Sequence, residues 1–173
     1  MSWIAPQVTR IDEPLVADER AMLEGWLEWH RATLLWKCAG LPGEFLAQRP
    51  VPPSNLSLLG LVRHMTEVER SWFRRRFGGE PVSSLYCSSA SPDADLDDVA
   101  AAAAEADFAA FTSEVELARA AAAGHSLDET FFHARREAQM NLRWVYVHMI
   151  EEYARHNGHA DLIRERIDGA TGS

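Results

Sequence analysis

The sequence predicts an all-α protein, a four-helix bundle with long connections after the first and third helices. Two observations support this fold class. Four segments repeat apolar residues at three- and four-residue spacing, which is typical of helices that bury one face. No segment shows the alternation of apolar and polar residues that indicates a strand. The 173 residues are expected to form one domain, residues 1–173, because this length suits a single hydrophobic core.

The first two predicted helices are strongly apolar on one side. The first is expected over residues 15–39, and Gly40 ends it because glycine readily adopts the left-handed conformation that closes a helix. The second is expected over residues 57–77, after a proline-rich connection, with Ser54 or Ser57 as the capping side chain.

The last two predicted helices differ in composition. The third, residues 96–123, is rich in alanine, which has the highest helix propensity. The fourth, residues 141–167, is rich in charged and aromatic side chains. The connection between them, residues 124–140, has no regular period, so its local structure is left open.

The charge balance bears on possible partners. The formal net charge is -9, and Lys37 is the only lysine. A nucleic-acid-binding surface needs clustered positive charge, so we expect no nucleic-acid partner. Residues 74–76 are three consecutive arginines. We interpret them as a solvated helix end, where cations suit the helix dipole, with a phosphate contact as the alternative.

The chain carries no sign of export or membrane insertion. Residues 1–14 lack the basic segment and apolar core of a signal peptide, and no apolar run is long enough to cross a bilayer. Cys38 and Cys87 have no CxxC partner, and two cysteines do not form a disulfide framework. We therefore expect a cytoplasmic protein without a membrane partner, with both thiols reduced.

Four titratable side chains share one side of the fourth predicted helix. Each residue of an α-helix turns by about 100°. With His148 at zero, His159 lies at about 20°, Glu152 at about 40° and His156 at about 80°. This side also faces the bundle interior, where an ionised glutamate is costly unless it is paired. A metal cation would pair with the glutamate and with neutral imidazoles, and Glu152 and His156 have the four-residue spacing of helical metal ligands.

The third ligand is expected from another helix. His64, in the middle of the second predicted helix, is the natural candidate. Two histidines and one carboxylate leave coordination positions open, as catalytic sites do, and they suit Zn²⁺, Ni²⁺ and Fe²⁺. Read singly, each histidine also fits a hydrogen-bonded packing residue. Three further histidines lack a partner at ligand spacing and are interpreted as surface residues: His30, His125 and His133.

Two segments together resemble a known family. They are NLSLLGLVRHMTEVERSWFRRRFGGE in the second predicted helix and LRWVYVHMIEEYARHNGHADLIRERIDG in the fourth. The chain resembles the DinB-like superfamily of metal-binding four-helix proteins, and within it a mostly actinobacterial subfamily. The resemblance implies His64, Glu152 and His156 as metal ligands, the same types that the related mycothiol-dependent maleylpyruvate isomerase uses. His148 and His159 are left to orient a ligand or to move protons.

The resemblance also implies a chemistry. Members of this superfamily bind a divalent metal, with zinc favoured here and nickel or iron as alternatives, and use it with a low-molecular-weight thiol such as mycothiol. The implied function is a thiol S-transferase acting on an electrophilic small molecule. Two other hypotheses stay open: a metal-dependent hydrolase, and a non-enzymatic metal- or ligand-binding stress protein. Exposed apolar residues in the first helix leave a homodimer open as well.

Overall fold

The computed structural model describes residues 3–172. Within them, six α-helices are joined by a π-helix and a small two-stranded sheet. The α-helices are α1 (Glu19–Cys38), α2 (Gly43–Leu46), α3 (Leu58–Glu69), α4 (Ala94–Asp97), α5 (Ala104–Ala122) and α6 (Leu142–Asp168). The π-helix, Arg70–Phe77, continues α3 without a break, and β1 (Thr130–His133) pairs antiparallel with β2 (Ala138–Asn141).

The two helices that frame the fold begin at side-chain caps. The carboxylate of Asp18 accepts a hydrogen bond from the Ala21 amide at 2.9 Å and starts α1. The side chain of Asn141 accepts from the Trp144 amide at 2.9 Å and starts α6. Such caps satisfy amide groups that have no partner inside the helix. The first helix therefore begins four residues later than predicted, and Leu15 is exposed.

The prediction of a mostly helical protein is confirmed, and the structure adds one short sheet that the sequence did not indicate. The connection before α6 contains β1 and β2, in which Thr130 pairs with Asn141 and His133 with Ala138. Each strand has four residues, too few for an alternating pattern to stand out. The turn between them places Glu137 at φ 50°, without the Asn-Gly or Asp-Gly pair that usually marks a hairpin. The protein is mostly helical with a small two-stranded sheet.

The predicted third helix, residues 96–123, is interrupted at its start. The chain forms the short α4, leaves helical geometry, and forms α5 only from Ala104. Arginine side chains bind the backbone carbonyls of α4: Arg63 donates to the carbonyls of Ala94 and Asp95, each at 3.0 Å, and Arg49 donates to that of Asp97 at 2.7 Å. These carbonyls are thereby satisfied without a further helical turn.

The long helices pack in two pairs that share a core. Helix α1 lies along α6, α3 lies along α5, and α3 also contacts α6. Their inward side chains are fully buried, among them Leu27, Leu34, Leu61, Met65, Val145 and Met149. Within the described residues, none of the helices combines the length and the apolar character that a membrane crossing requires.

A buried carboxylate ties three of these helices together. Glu69 of α3 accepts from Arg31 of α1 through Nε at 2.7 Å and Nη2 at 2.6 Å. It also accepts from the hydroxyl of Tyr153 in α6 at 2.7 Å. Burial, followed by the adjacent Glu69 charge, raises the pKa of Tyr153 well above its ordinary value. The tyrosine is therefore a permanent hydrogen-bond donor to Glu69.

Replacing Glu69 should destabilise the fold. In Glu69→Ala, we expect the free energy of unfolding to fall by about 3 kcal/mol, because Arg31 becomes a buried cation with only the half-exposed Glu28 beside it. In Tyr153→Phe we expect a fall of about 1 kcal/mol, for one lost hydrogen bond. Urea unfolding followed by circular dichroism measures both.

The matched control is Arg155→Gln, which breaks an exposed ion pair with Glu151. It should change the free energy of unfolding by less than about 0.5 kcal/mol. If Glu69→Ala were as stable as this control, the Glu69 network would not be the tie between the three helices.

Candidate metal centre

Three side chains that the sequence singles out meet between α3 and α6. His64 comes from α3, and Glu152 and His156 lie one turn apart on α6. One possible ligand atom from each lies within 4.8 Å of the others. The rings of His64 and His156 meet edge to face with centroids 4.7 Å apart, and Glu152 Oε2 lies 3.6 Å from His156 Nε2. The fold thus brings two imidazoles and one carboxylate close enough together to share a single ion.

An aspartate missed in the sequence orients the first of these histidines. The Oδ2 atom of Asp95 lies 2.8 Å from His64 Nδ1, and the residue is buried. A carboxylate at Nδ1 holds the proton on that nitrogen and leaves the Nε2 lone pair free for a metal. Burial alone would raise the pKa of Asp95, but hydrogen bonds from His64 and from Cys87 hold that pKa below its ordinary value.

The surroundings of His156 favour the form of its imidazole that binds a cation. Burial, followed by the neighbouring His64 and His159, lowers the pKa of His156 to about 4. At neutral pH its imidazole is therefore uncharged, which is the form that binds metals. Two imidazoles, one carboxylate and an outer carboxylate on His64 Nδ1 together fit a divalent cation such as Zn²⁺, Ni²⁺ or Fe²⁺.

The two remaining histidines of α6 flank this centre on different sides. His159 Nδ1 lies 3.4 Å from His156 Nδ1. His148 Nε2 lies 3.4 Å from Glu152 Oε1. The His148 ring stacks on Trp144 at 4.7 Å and meets the edge of Trp72 at 4.6 Å. His159 is therefore the neighbour of a ligand candidate, whereas His148 joins the centre to an aromatic cluster.

The interpretation of three other histidines as surface residues was wrong for two of them. His30 is buried, with its backbone carbonyl accepting from Asn157 Nδ2 at 3.0 Å. His133 is buried against Trp72, with ring centroids 5.5 Å apart. Only His125 is exposed as expected. His30 and His133 are buried by contacts with residues far away in the sequence. The spacing of histidines along one segment cannot predict such contacts.

The family of this chain follows from a match over most of its length. Residues 22–169, which include the whole centre, match the family model described as Mycothiol-S-transferase. This chain belongs to the mycothiol-S-transferase family. The match confirms the resemblance to the DinB-like superfamily, of which that family is a member. A search of curated proteins finds no significant match to the chain.

This mycothiol-S-transferase family member does not offer a reactive thiol of its own. Burial raises the pKa of the Cys38 thiol to about 12. Burial, followed by the nearby Asp95 and Glu67 carboxylates, raises that of Cys87 to about 11. Since the thiolate is the nucleophilic form, both residues are weak nucleophiles at neutral pH.

Metal content should depend on His64 and Asp95. We expect wild-type protein incubated with Zn²⁺ to retain about one ion per chain, as a single three-ligand site would. His64→Ala should lose it, and Asp95→Asn should weaken the affinity about 10- to 100-fold, because the outer carboxylate no longer orients His64. Plasma emission spectrometry after gel filtration gives the content, and competition with a chromophoric chelator gives the affinity.

His125→Ala is the matched control, since His125 is exposed and contacts Glu129 rather than the centre. It should keep the wild-type content. Equal zinc content in the wild type and His64→Ala would show that the three side chains are a polar packing cluster instead of a metal site.

Proposed function

We propose that this protein is a divalent-metal-dependent S-transferase that joins a mycothiol-type thiol to an electrophilic small molecule. The observation that carries the proposal is the convergence of His64, Glu152 and His156 in a chain of the mycothiol-S-transferase family. We also infer that the long helices form a single-domain DinB-like four-helix bundle, and that the protein acts in the cytoplasm, where small thiols are kept reduced.

His64, Glu152 and His156 would hold the metal, with zinc as the expected ion. The bound ion supplies positive charge that favours the thiolate form of the thiol co-substrate. In the reaction, an electron pair of the sulfur forms a bond to the electrophilic carbon. A leaving group departs from that carbon with its bonding pair, and the thiol proton passes to a side chain or to water. The protein cysteines take no part, which agrees with their raised pKa values.

We propose different roles for the two histidines that were candidates for catalysis. His159 contacts His156 and is proposed as a positioning residue for that ligand. His148 lies between Glu152 and the ring faces of Trp72 and Trp144. We therefore propose that His148 exchanges a proton with molecules that reach the centre from the aromatic side.

Turnover should require both metal and thiol. With mycothiol and chlorodinitrobenzene, we expect thioether and chloride to form in equal amounts, and chelation or Glu152→Ala to abolish this. His148→Asn should keep its metal but lower kcat by about 100-fold, a common size for the loss of a proton-transfer group. Chromatography of the thioether, with metal content measured on the same samples, tests each point.

Glu165→Ala is the matched control, because it removes an exposed glutamate from the same helix. It should behave as the wild type does. Product formation without any thiol would instead favour the metal-dependent hydrolase. Unchanged turnover in Glu152→Ala would remove the proposed centre from the mechanism.

Because the pKa of the Cys87 thiol is raised, the rate at which Cys87 is alkylated should depend on pH. Iodoacetamide should alkylate Cys87 at neutral pH more than about tenfold more slowly than it alkylates N-acetylcysteine, because a smaller fraction is thiolate. The rate should keep rising with pH up to about 11. Mass spectrometry of the alkylated peptide over a pH series measures this. A rate that levels off near the pKa of free cysteine would show that Cys87 is an ordinary, available thiol.

A further inference from the structure

Four guanidinium groups without a carboxylate partner gather beside the candidate metal centre. They belong to Arg75 and Arg76 of the π-helix and to Arg135 and Arg136 of the turn between β1 and β2, and are called the arginine cluster below. Within residues 3–172, none of the four has an aspartate or glutamate oxygen within 4.0 Å. Nine other arginines do form such pairs: Arg20, Arg31, Arg63, Arg70, Arg74, Arg119, Arg143, Arg155 and Arg164.

The contrast is sharpest within the run of three arginines. Arg74 pairs with Glu80 at 2.7 Å and with Glu114 at 3.0 Å. The next two arginines have no such partner, although the chain carries a formal charge of -9 and acidic side chains are plentiful. The interpretation of this run as a solvated helix end is therefore wrong for Arg74, and it does not account for the arginine cluster.

Aromatic rings hold two members of the arginine cluster, Arg76 and Arg136, in place. The Arg76 guanidinium lies 4.5 Å from the Trp72 ring centroid, and that of Arg136 lies 5.1 Å from Trp144. Arg76 Nε also donates to His133 Nε2 at 3.1 Å. The two tryptophan rings are 5.1 Å apart. Cation–π contacts and a neutral imidazole position these charges without cancelling them.

The positive charges of the arginine cluster repel one another. Burial, followed by the charges of Arg75 and Arg135, lowers the pKa of Arg76. Burial and the nearby arginines likewise lower the pKa of His133. Mutual repulsion of this kind is relieved by an anion, and guanidinium groups bind carboxylate and phosphate oxygens through paired hydrogen bonds.

Members of the arginine cluster line two separate clefts. One cleft of about 260 Å³ is lined by Arg75 and Arg76 together with Trp72 and Cys87. Glu67 also lines it, but its Oε1 accepts the amides of Tyr86 at 2.6 Å and of Cys87 at 3.2 Å. A second cleft of about 340 Å³ is lined by Arg136 and Trp144.

Direct contacts connect these clefts with the ligand candidates. Trp72 and Trp144 each contact the His148 ring, and His148 lies 3.4 Å from Glu152. His148 and the two tryptophan rings therefore lie between the arginine cluster and the centre.

We propose that the arginine cluster is a subsite for an anionic group, such as a carboxylate, on the electrophilic substrate. The assignment to the electrophile rests on the proposed transferase function. With chlorodinitrobenzoate as the probe, the thiol sulfur forms a bond to the chlorine-bearing carbon, and the carbon–chlorine bond breaks. Chloride leaves with the bonding pair, the thiol proton passes to solvent, and the carboxylate remains unchanged at the arginine cluster.

Binding of an unreactive anion tests the subsite without any turnover. Titration calorimetry should show dinitrobenzoate binding to the wild type, and neutral dinitrobenzene binding more weakly. Arg76→Gln and Arg136→Gln should each raise the Kd for dinitrobenzoate about tenfold, as expected for a lost hydrogen bond to a charged group. Arg136 is exposed, so this second variant tests the idea even if Arg76→Gln folds poorly.

Arg166→Gln is the control, since it removes one exposed positive charge from α6, outside the arginine cluster. It should leave the Kd unchanged. Equal dinitrobenzoate binding in Arg136→Gln and the wild type, or no binding to the wild type, would overturn the subsite.

Turnover measurements test whether the anionic group at the arginine cluster belongs to the electrophile or to the thiol. With mycothiol, kcat/KM should be higher for chlorodinitrobenzoate than for chlorodinitrobenzene, and Arg136→Gln should remove most of this preference. A variant that weakens mycothiol binding instead would overturn the assignment to the electrophile. Dinitrobenzoate binding without any turnover would support the subsite while the transferase proposal failed. Turnover without a preference would overturn the subsite and leave the transferase proposal intact.

Discussion

The Glu69 carboxylate, buried where α1, α3 and α6 meet, sets the geometry on which the candidate site depends. It is held by Arg31 on one side and by the Tyr153 hydroxyl on the other. Tyr153 directly follows Glu152 in α6, and His64 lies five residues before Glu69 in α3. Sliding α6 along α3 would break a hydrogen bond to a buried charge, which is costly. The same contact that closes the core therefore fixes the separation of the ligand candidates.

The two sides of the candidate metal centre differ in charge. On one flank, Asp95 reaches His64 from α4, whose position depends on the carbonyl contacts of Arg63. This flank concentrates carboxylates and imidazole nitrogens, which suit a cation. On the other flank, Trp72 and His148 separate the centre from the arginine cluster, which suits an anion. The opposite charges are kept apart by aromatic rings rather than paired with each other.

The sequence revealed those parts of the site that lie on single helices. The four-residue spacing of Glu152 and His156 is a local signal, and His64 stands out as a histidine in the middle of the second predicted helix. The family resemblance then implied all three as ligands. Asp95 escaped notice because its contact with His64 spans 31 residues, and Asp93, Asp97 and Asp98 beside it look equally suitable.

The structural errors have the same origin. Strands of four residues are too short for a periodic pattern, and the gap before α5 depends on side chains elsewhere in the chain, Arg49 and Arg63. Because these contacts come from other parts of the chain, the length and charge of the alanine-rich segment do not predict them.

The π-helix carries Trp72, Arg75 and Arg76 in a geometry that differs from that of the α-helix before it, which carries His64 and Glu69. In such a segment each amide bonds to the carbonyl five residues earlier, as Gly78 does to Phe73 at 2.8 Å, so one more residue is accommodated than in an α-helical turn. The segment begins at Arg70, after His64 and Glu69 are already in place. Losing or gaining one residue there would re-aim Trp72, Arg75 and Arg76 and, through the Trp72 contact, the ring of His148. A one-residue change in this segment would therefore act on the proposed anion subsite and on His148 together.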